Sequence, residues 1–254
     1  MSRIYVLAKN TFNEARHNKV LHLAGGFAAV LIVFSLFMGE VSLYQNIKVV
    51  KDIGMATISL FGVFVAIYMG VNLLYKELEL RTIYTIVSKP VDRFEIILGK
   101  YLGMVIVLTV NLVLMSAFLY LTCFVIEFRF DLSLIPALVL ILFELFIVAV
   151  FAVFFSSFSS PFLSGLFTAG LFMVGRVSNE LGLFGERSRN ELFKIFATSV
   201  QKIFDLEAFN LRTEVVHQLP VYASDVYYPI FYSIFLVALF LALSILIFAK
   251  RDFK

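Results

Sequence analysis

Long uncharged runs alternate with short polar connections along the chain, and the runs set the expected architecture. Taking about 20 residues per 30 Å of hydrocarbon as one span, six runs qualify: about 20–39, 53–75, 101–126, 132–156, 161–175 and 226–249. The fourth is interrupted only by Glu144, and Ser156-Ser157-Phe158-Ser159-Ser160-Pro161 makes a tight turn into the fifth. Ahead of the first run, Ile4, Leu7, Ala8, Thr11, Phe12 and Ala15 line one side of residues 3–17, with Arg3, Lys9, Asn13 and Arg16 elsewhere. This pattern reads as an amphipathic helix on the inner leaflet, or as an extension of the first span. Between the fifth and sixth runs, residues 176–225 mix charge with apolar residues. There Leu192, Phe196, Val200 and Ile203 recur at helical spacing. They predict a helix that lies on the outer leaflet or caps the bundle.

The polar stretch 76–100, KELELRTIYTIVSKPVDRFEIILGK, is flanked closely by apolar runs on both sides. Leu80, Ile83, Tyr84 and Val87 make one apolar stripe. Glu77 precedes Arg81 by one turn, so the two can pair on a wet face. Pro90 stops that helix, because proline lacks an N–H and restricts the residue before it. Asp92 then offers an N-cap with Glu95 in the third helical position, and the next helix can run through Gly99 into the following span. Such a segment is a lever if something docks on it, and otherwise a solvated loop.

Composition agrees with the bilayer assignment. The chain is 61% hydrophobic and only 15% charged, against about 25% charged in soluble domains. Mean hydropathy is +0.95. With no tryptophan, tyrosine must supply any interfacial aromatic belt. The single cysteine, Cys123, lies in an apolar run, where it packs as a small apolar side chain. No cleavable signal peptide is expected, because the first apolar run starts late and is long enough to span. Lysine and arginine concentrate in the N-terminal arm, in 76–100 and at the C-terminus. The opposite connections hold Lys48, Lys51 and Arg129. By the positive-inside rule both termini and 76–100 are cytoplasmic, and 176–225 lies outside. The expectation is therefore an all-α, polytopic, multi-pass protein of one transmembrane domain, 1–254. It has six transmembrane helices, an N-terminal interfacial helix, a cytoplasmic segment at 76–100 and an outer helical segment between spans five and six.

Reactive chemistry is absent from this pattern. Gly99-Lys100 lacks the upstream glycine of a phosphate-binding loop, so no ATP hydrolysis is expected in this chain. His17, His22 and His217 are scattered over different elements, and no metal site, cofactor site or nucleophilic triad is expected. Three intramembrane polar residues stand out: Asn72, Asn111 and Glu144. The asparagines are read as glue between helices. Glu144 is either a pathway or relay group, or a neutral acid bonded to a neighbouring helix. Gly99 and Gly103 form a GxxxG, and Ser164, Gly165, Thr168 and Ala169 give the fifth span a small face. Both permit close contact within the chain or between two copies.

Several pieces resemble the type-2 ABC exporter permeases. They are Glu79-Leu80-Arg81-Thr82-Ile83, Val87-Ser88-Lys89-Pro90-Val91 and Gly99-Lys100-Tyr101-Leu102-Gly103, which resemble the segment after that family's second span. Ala8-Lys9-Asn10-Thr11-Phe12 with Glu14-Ala15, Phe209-Asn210-Leu211-Arg212 with Val215-Val216-His217, and Phe248-Ala249-Lys250-Arg251-Asp252-Phe253 are similar to its opening, outer and closing segments. The resemblance implies a half-transporter in the cell (inner) membrane. Two membrane chains, copies or relatives, would form the pathway, and separate ATP-binding subunits would supply ATP and magnesium. It also implies that 76–100 is a coupling helix, with Glu77, Glu79, Arg81, Thr82, Lys89 and Pro90 as its docking residues, and that the outer segment shields or gates the exit. Membrane lipid is the other expected partner, and nucleic acid is not one. The alternatives are an ion-coupled secondary transporter using Glu144 and a non-transporting membrane anchor of an ATPase complex. The scarcity of charge in the spans favours an amphiphilic or lipid-like cargo over a small ion.

Overall fold

The computed structural model describes residues 3–17, 46–79, 93–128, 132–188 and 190–250, with most positions between 25 and 37. All regular structure among these residues is helical. The helices are α1 Arg3–His17, α2 Asn46–Glu79, α3 Arg93–Glu127, α4 Ile135–Ser156, α5 Pro161–Arg176, α6 Ser178–Arg187, α7 Glu191–Ile203, α8 Arg212–Val216 and α9 Ala223–Lys250. Single 3-10 turns stand at Leu132–Leu134 and Glu207–Phe209.

Four helical stretches are long and apolar enough to cross a membrane: Ile47–Asn72, Phe94–Ile126, Leu132–Ser156 and Ala223–Ala249. A fifth is reached if α5 and α6, bent by 61° at Val177, count as one broken span. The expected count of six is therefore not reached among the described residues. The run 20–39 falls partly outside them, and its described positions are helical. Where the apolar runs suggested 53–75 and 101–126, the helices extend further, to 46–79 and 93–127. Polar residues continue a helix as readily as apolar ones do, so hydropathy bounds the span and not the helix.

Helix α4 is the axis of the bundle. Its residues Ile147 to Ala152 have no solvent exposure at all, and it packs against α2, α3, α5 and α9. Hydroxyls from its neighbours bond to its carbonyls. Tyr101 Oη of α3 donates to Phe146 O at 3.1 Å, and Ser233 Oγ of α9 donates to Phe143 O at 3.2 Å. Ser156 Oγ in turn donates to Gly70 O of α2 at 3.3 Å. Against α9 the contact is aromatic: Phe151 and Phe154 meet Phe240 edge-on, with ring centroids 4.8 and 5.1 Å apart. The quadrupoles of the rings favour that geometry. Cys123 is buried.

Two prolines start helices where their missing N–H costs nothing, Pro136 in the first turn of α4 and Pro161 in that of α5. Asn190 caps α7, its Oδ1 accepting from Leu192 N at 3.0 Å and Phe193 N at 3.5 Å. Helices α6 and α7 then fold back on one another as a hairpin. Its outward residues Phe184, Leu192, Ile195 and Phe196 are all more than half exposed.

Candidate functional site

The bundle carries two specialised contacts, one at its base and one at mid-depth. At the base, where α2 ends and α3 begins, α1 lies across the start of α3. Ala8, Thr11 and Ala15 form its buried face, while Tyr5, Val6 and Lys9 are exposed. The two glycines make the contact possible. A Cβ at Gly99 would stand 2.6 Å from Leu7 Cβ and 3.3 Å from Ile4 O. One at Gly103 would stand 2.5 Å from Thr11 Cβ and 2.9 Å from Ala8 O. Backbone approaches backbone here, so the GxxxG seats another helix of the same chain. From that seat α3 continues without a break for 35 residues, about 52 Å at 1.5 Å per residue.

The docking residues expected beside this seat are only partly within reach of description. Glu77 and Glu79 fall in the last turn of α2. Arg81, Thr82, Lys89 and Pro90 lie outside the described residues. So does Asp92, and Glu95 stands in the first turn of α3.

At mid-depth the organising residue is Glu144, which has no solvent exposure. A charged carboxylate at mid-helix in a bilayer costs about 2.5–3.5 kcal/mol on insertion scales, so it needs a partner. The partner is Arg176. Its Nη2 donates to Glu144 Oε2 at 2.8 Å and approaches Ser59 Oγ at 3.1 Å. Ser59 Oγ also donates to Glu144 Oε2 at 3.2 Å. The Nη1 of Arg176 lies 3.7 Å from Glu207 Oε2, and its guanidinium carbon sits 5.8 Å from the centre of the Phe172 ring. One guanidinium thus ties together α4, α2 and the turn at Glu207–Phe209. The other carboxylate oxygen, Glu144 Oε1, has no hydrogen-bond partner among the described residues.

Arg176 reaches Glu144 because α5 is short. Its 16 residues rise about 24 Å, less than the ~30 Å hydrocarbon core, so its last turn ends at depth. A cation at a helix C-terminus also suits the helix dipole. The chain then turns at Val177, and the backbone of a later segment takes up a freed carbonyl: Leu206 N donates to Gly175 O at 3.1 Å. Only glycine fits at 175, since a Cβ there would stand 2.6 Å from Leu206 Cγ and 3.0 Å from Phe204 O.

Beside the ion pair lies a cavity of about 280 Å³. Its walls include the apolar Met55, Ile141, Phe172 and Phe209, and its polar groups include Ser59, Arg176, Glu207 and Arg212. Arg212 is held by Asp52 at 2.8 Å, a half-exposed pair. Apolar walls with a few convergent polar groups are the usual form of a small-molecule site.

The other intramembrane candidates do not join this cluster. Asn72 bonds within its own helix, Nδ2 to Tyr68 O at 2.8 Å. Asn111 is buried in α3, and its Oδ1 has no hydrogen-bond partner among the described residues. Ser164 and Thr168 are fully buried, and Gly165 faces Ile67 and Val71, so the small face of α5 packs on α2. Among the described residues no group of three or more His, Cys, Asp and Glu could hold a metal ion. Sequence reasoning found Glu144 but missed Ser59, Arg176 and Glu207. One signal was available: Arg176 is the first cation after the shortest of the six apolar runs, which follows a run that holds a lone acid.

A family model described as ABC-2 family transporter protein matches residues 4–253. No individual curated protein matches the chain.

Proposed function

The chain belongs to the ABC-2 family of transporter permeases and is a membrane permease of an ABC transporter, and from that premise we propose how it works. It forms half of a translocation pathway, with a second copy or a relative as the other half. Separate ATP-binding subunits dock on 76–100 from the cytoplasm and drive export of an amphiphilic cargo. Glu77, Glu79, Arg81, Thr82, Lys89 and Pro90 form the docking surface. The protein sits in the cell membrane with both termini inside, and the α6–α7 hairpin rests its apolar face on the outer leaflet.

The observation that carries this reading is the seat of α1 on α3. Helix α3 starts within the 76–100 segment, just after Pro90, is gripped near its start by α1, and runs unbroken to the far end of the bundle. A push at its start is transmitted along a rigid rod. Charge reversal at Glu77, Glu79 or Arg81 should abolish ATP-driven flux in proteoliposomes while membrane insertion stays normal. Normal flux and normal ATPase stimulation in all three variants would refute the docking surface.

The ion-coupled alternative has one supporting observation, the unbonded Oε1 of Glu144. Flux that persists without the ATP-binding subunits, and stops in Glu144→Gln, would favour it.

A further inference from the structure

The residues from Gly175 to Phe209 form a unit stitched to itself. Ser178 Oγ and Ala208 N both donate to Asp205 Oδ1, at 3.3 and 3.2 Å. Gln201 Nε2 donates to Asn179 Oδ1 at 3.1 Å. Leu206 N closes the unit on Gly175 O. The α6–α7 hairpin is closed by Gly185, where a Cβ would stand 2.6 Å from Ala197 Cβ. These ties hold the unit together as one body, which also meets α9 through Tyr232 Oη, donating to Ile203 O, and α4 through the Phe204 and Phe151 rings.

Its charged attachment to the bundle is of another kind. It passes through Arg176, which holds Glu144 of α4 and Ser59 of α2 on one side and Glu207 of the unit on the other. Arg176 is partly accessible, at 24% of its side chain, whereas Glu144 is at 0%. The guanidinium has a second carboxylate, Glu207, already within 3.7 Å. It can therefore leave Glu144 without losing every anionic partner. The cavity of about 280 Å³ lies beside this contact, and Glu207 and Phe209 of the unit form part of its wall.

We propose that Arg176 is the bolt of a hinged door: while it holds Glu144 and Ser59 the 175–209 unit is shut over the cavity, and when it swings to Glu207 the unit tilts away and uncovers the cavity. Phe209, which has no exposure in the closed form, then vacates an apolar slot that the apolar part of a cargo refills. Arg176 is a positioning residue in this scheme and needs no contact with cargo. The bolt deepens the transport reading and rests on it only for the side of the membrane from which the cavity opens.

The test is labelling of the full chain in permeabilised membranes with a membrane-impermeant maleimide. The parent carries Cys123→Ala and the reporter Ala137→Cys, since Ala137 lines the cavity and is 1% exposed. Labelling should be slow in the parent and at least tenfold faster with either Arg176→Gln or Glu144→Gln. Arg176→Lys should return it towards the parent rate. Gly103→Ala loosens the base of the bundle and should leave the rate within twofold, which separates an opened door from a generally looser protein. Rates within twofold of the parent in both bolt variants, or an equal rise in Gly103→Ala, would overturn the proposal. A separate Leu192→Cys variant in intact cells reports the side of the membrane. If it labels only after permeabilisation, the orientation fails, while the comparison in permeabilised membranes still decides the bolt.

Discussion

Two contacts in this bundle, one at its base and one at mid-depth, are fastened by different means. At the base, α1 is seated on α3 through glycine, alanine and threonine, with backbone close to backbone. At mid-depth, a single guanidinium draws three elements together around a carboxylate that has no solvent exposure. Close packing is short-ranged and distributed over many atoms, so it has no cheap intermediate between seated and unseated. A shared ion pair is directional, and its cation has a second carboxylate within reach. The base is built to transmit force, and the mid-depth contact is built to let go.

Removing the cation should produce the largest effect. Arg176→Ala leaves Glu144 buried without its partner, and breaking a buried pair typically costs about 3–5 kcal/mol. Glu144→Gln should cost less, because Arg176 is partly exposed and keeps Glu207 nearby. Thermal unfolding in detergent checks both the size and the asymmetry. Equal losses in the two variants would contradict the burial difference.

At the base the corresponding change is a methyl group. Gly103→Ala puts a Cβ 2.5 Å from Thr11 and 2.9 Å from the Ala8 carbonyl. Overpacking of this kind costs about 1–3 kcal/mol. Cleavage of α1 by added protease should rise in parallel, and unchanged protection would show that α1 is seated by something else. Smallest of all should be Asp52→Asn. Its pair with Arg212 is 47% and 37% exposed, and such pairs contribute less than about 1 kcal/mol. A larger loss on unfolding would place that pair inside the door mechanism.

Much of the helical framework was legible from periodicity. The spacing of Leu192, Phe196, Val200 and Ile203 marks α7, and Pro161 after four polar turn residues marks the start of α5. Glu144 was legible as a problem, because a lone acid in an apolar run must be answered. Its answer was not legible. Arg176 is 32 positions away and Ser59 is 85 away. No local pattern links residues so far apart; only the folding of α5 beside α2 and α4 does. The end of the fifth run near Gly175 was legible, but the direction of the bend at Val177 was not, because it is stabilised by Leu206 arriving from a distant segment.

The shortness of α5 has one more consequence. A helix of 16 residues is mismatched to a bilayer of ordinary thickness, and lipids around it must compress their acyl chains or the helix must stay covered by protein. Compression costs fractions of a kcal/mol per Å, so thin membranes would relieve the strain and thick ones would add to it. Reconstituted into phosphatidylcholines of increasing chain length, the permease should lose stability steadily as the membrane thickens, and lengthening α5 by one turn of leucines should shift that dependence towards longer chains. The surrounding lipid would then set the working range of the protein as directly as any residue in it.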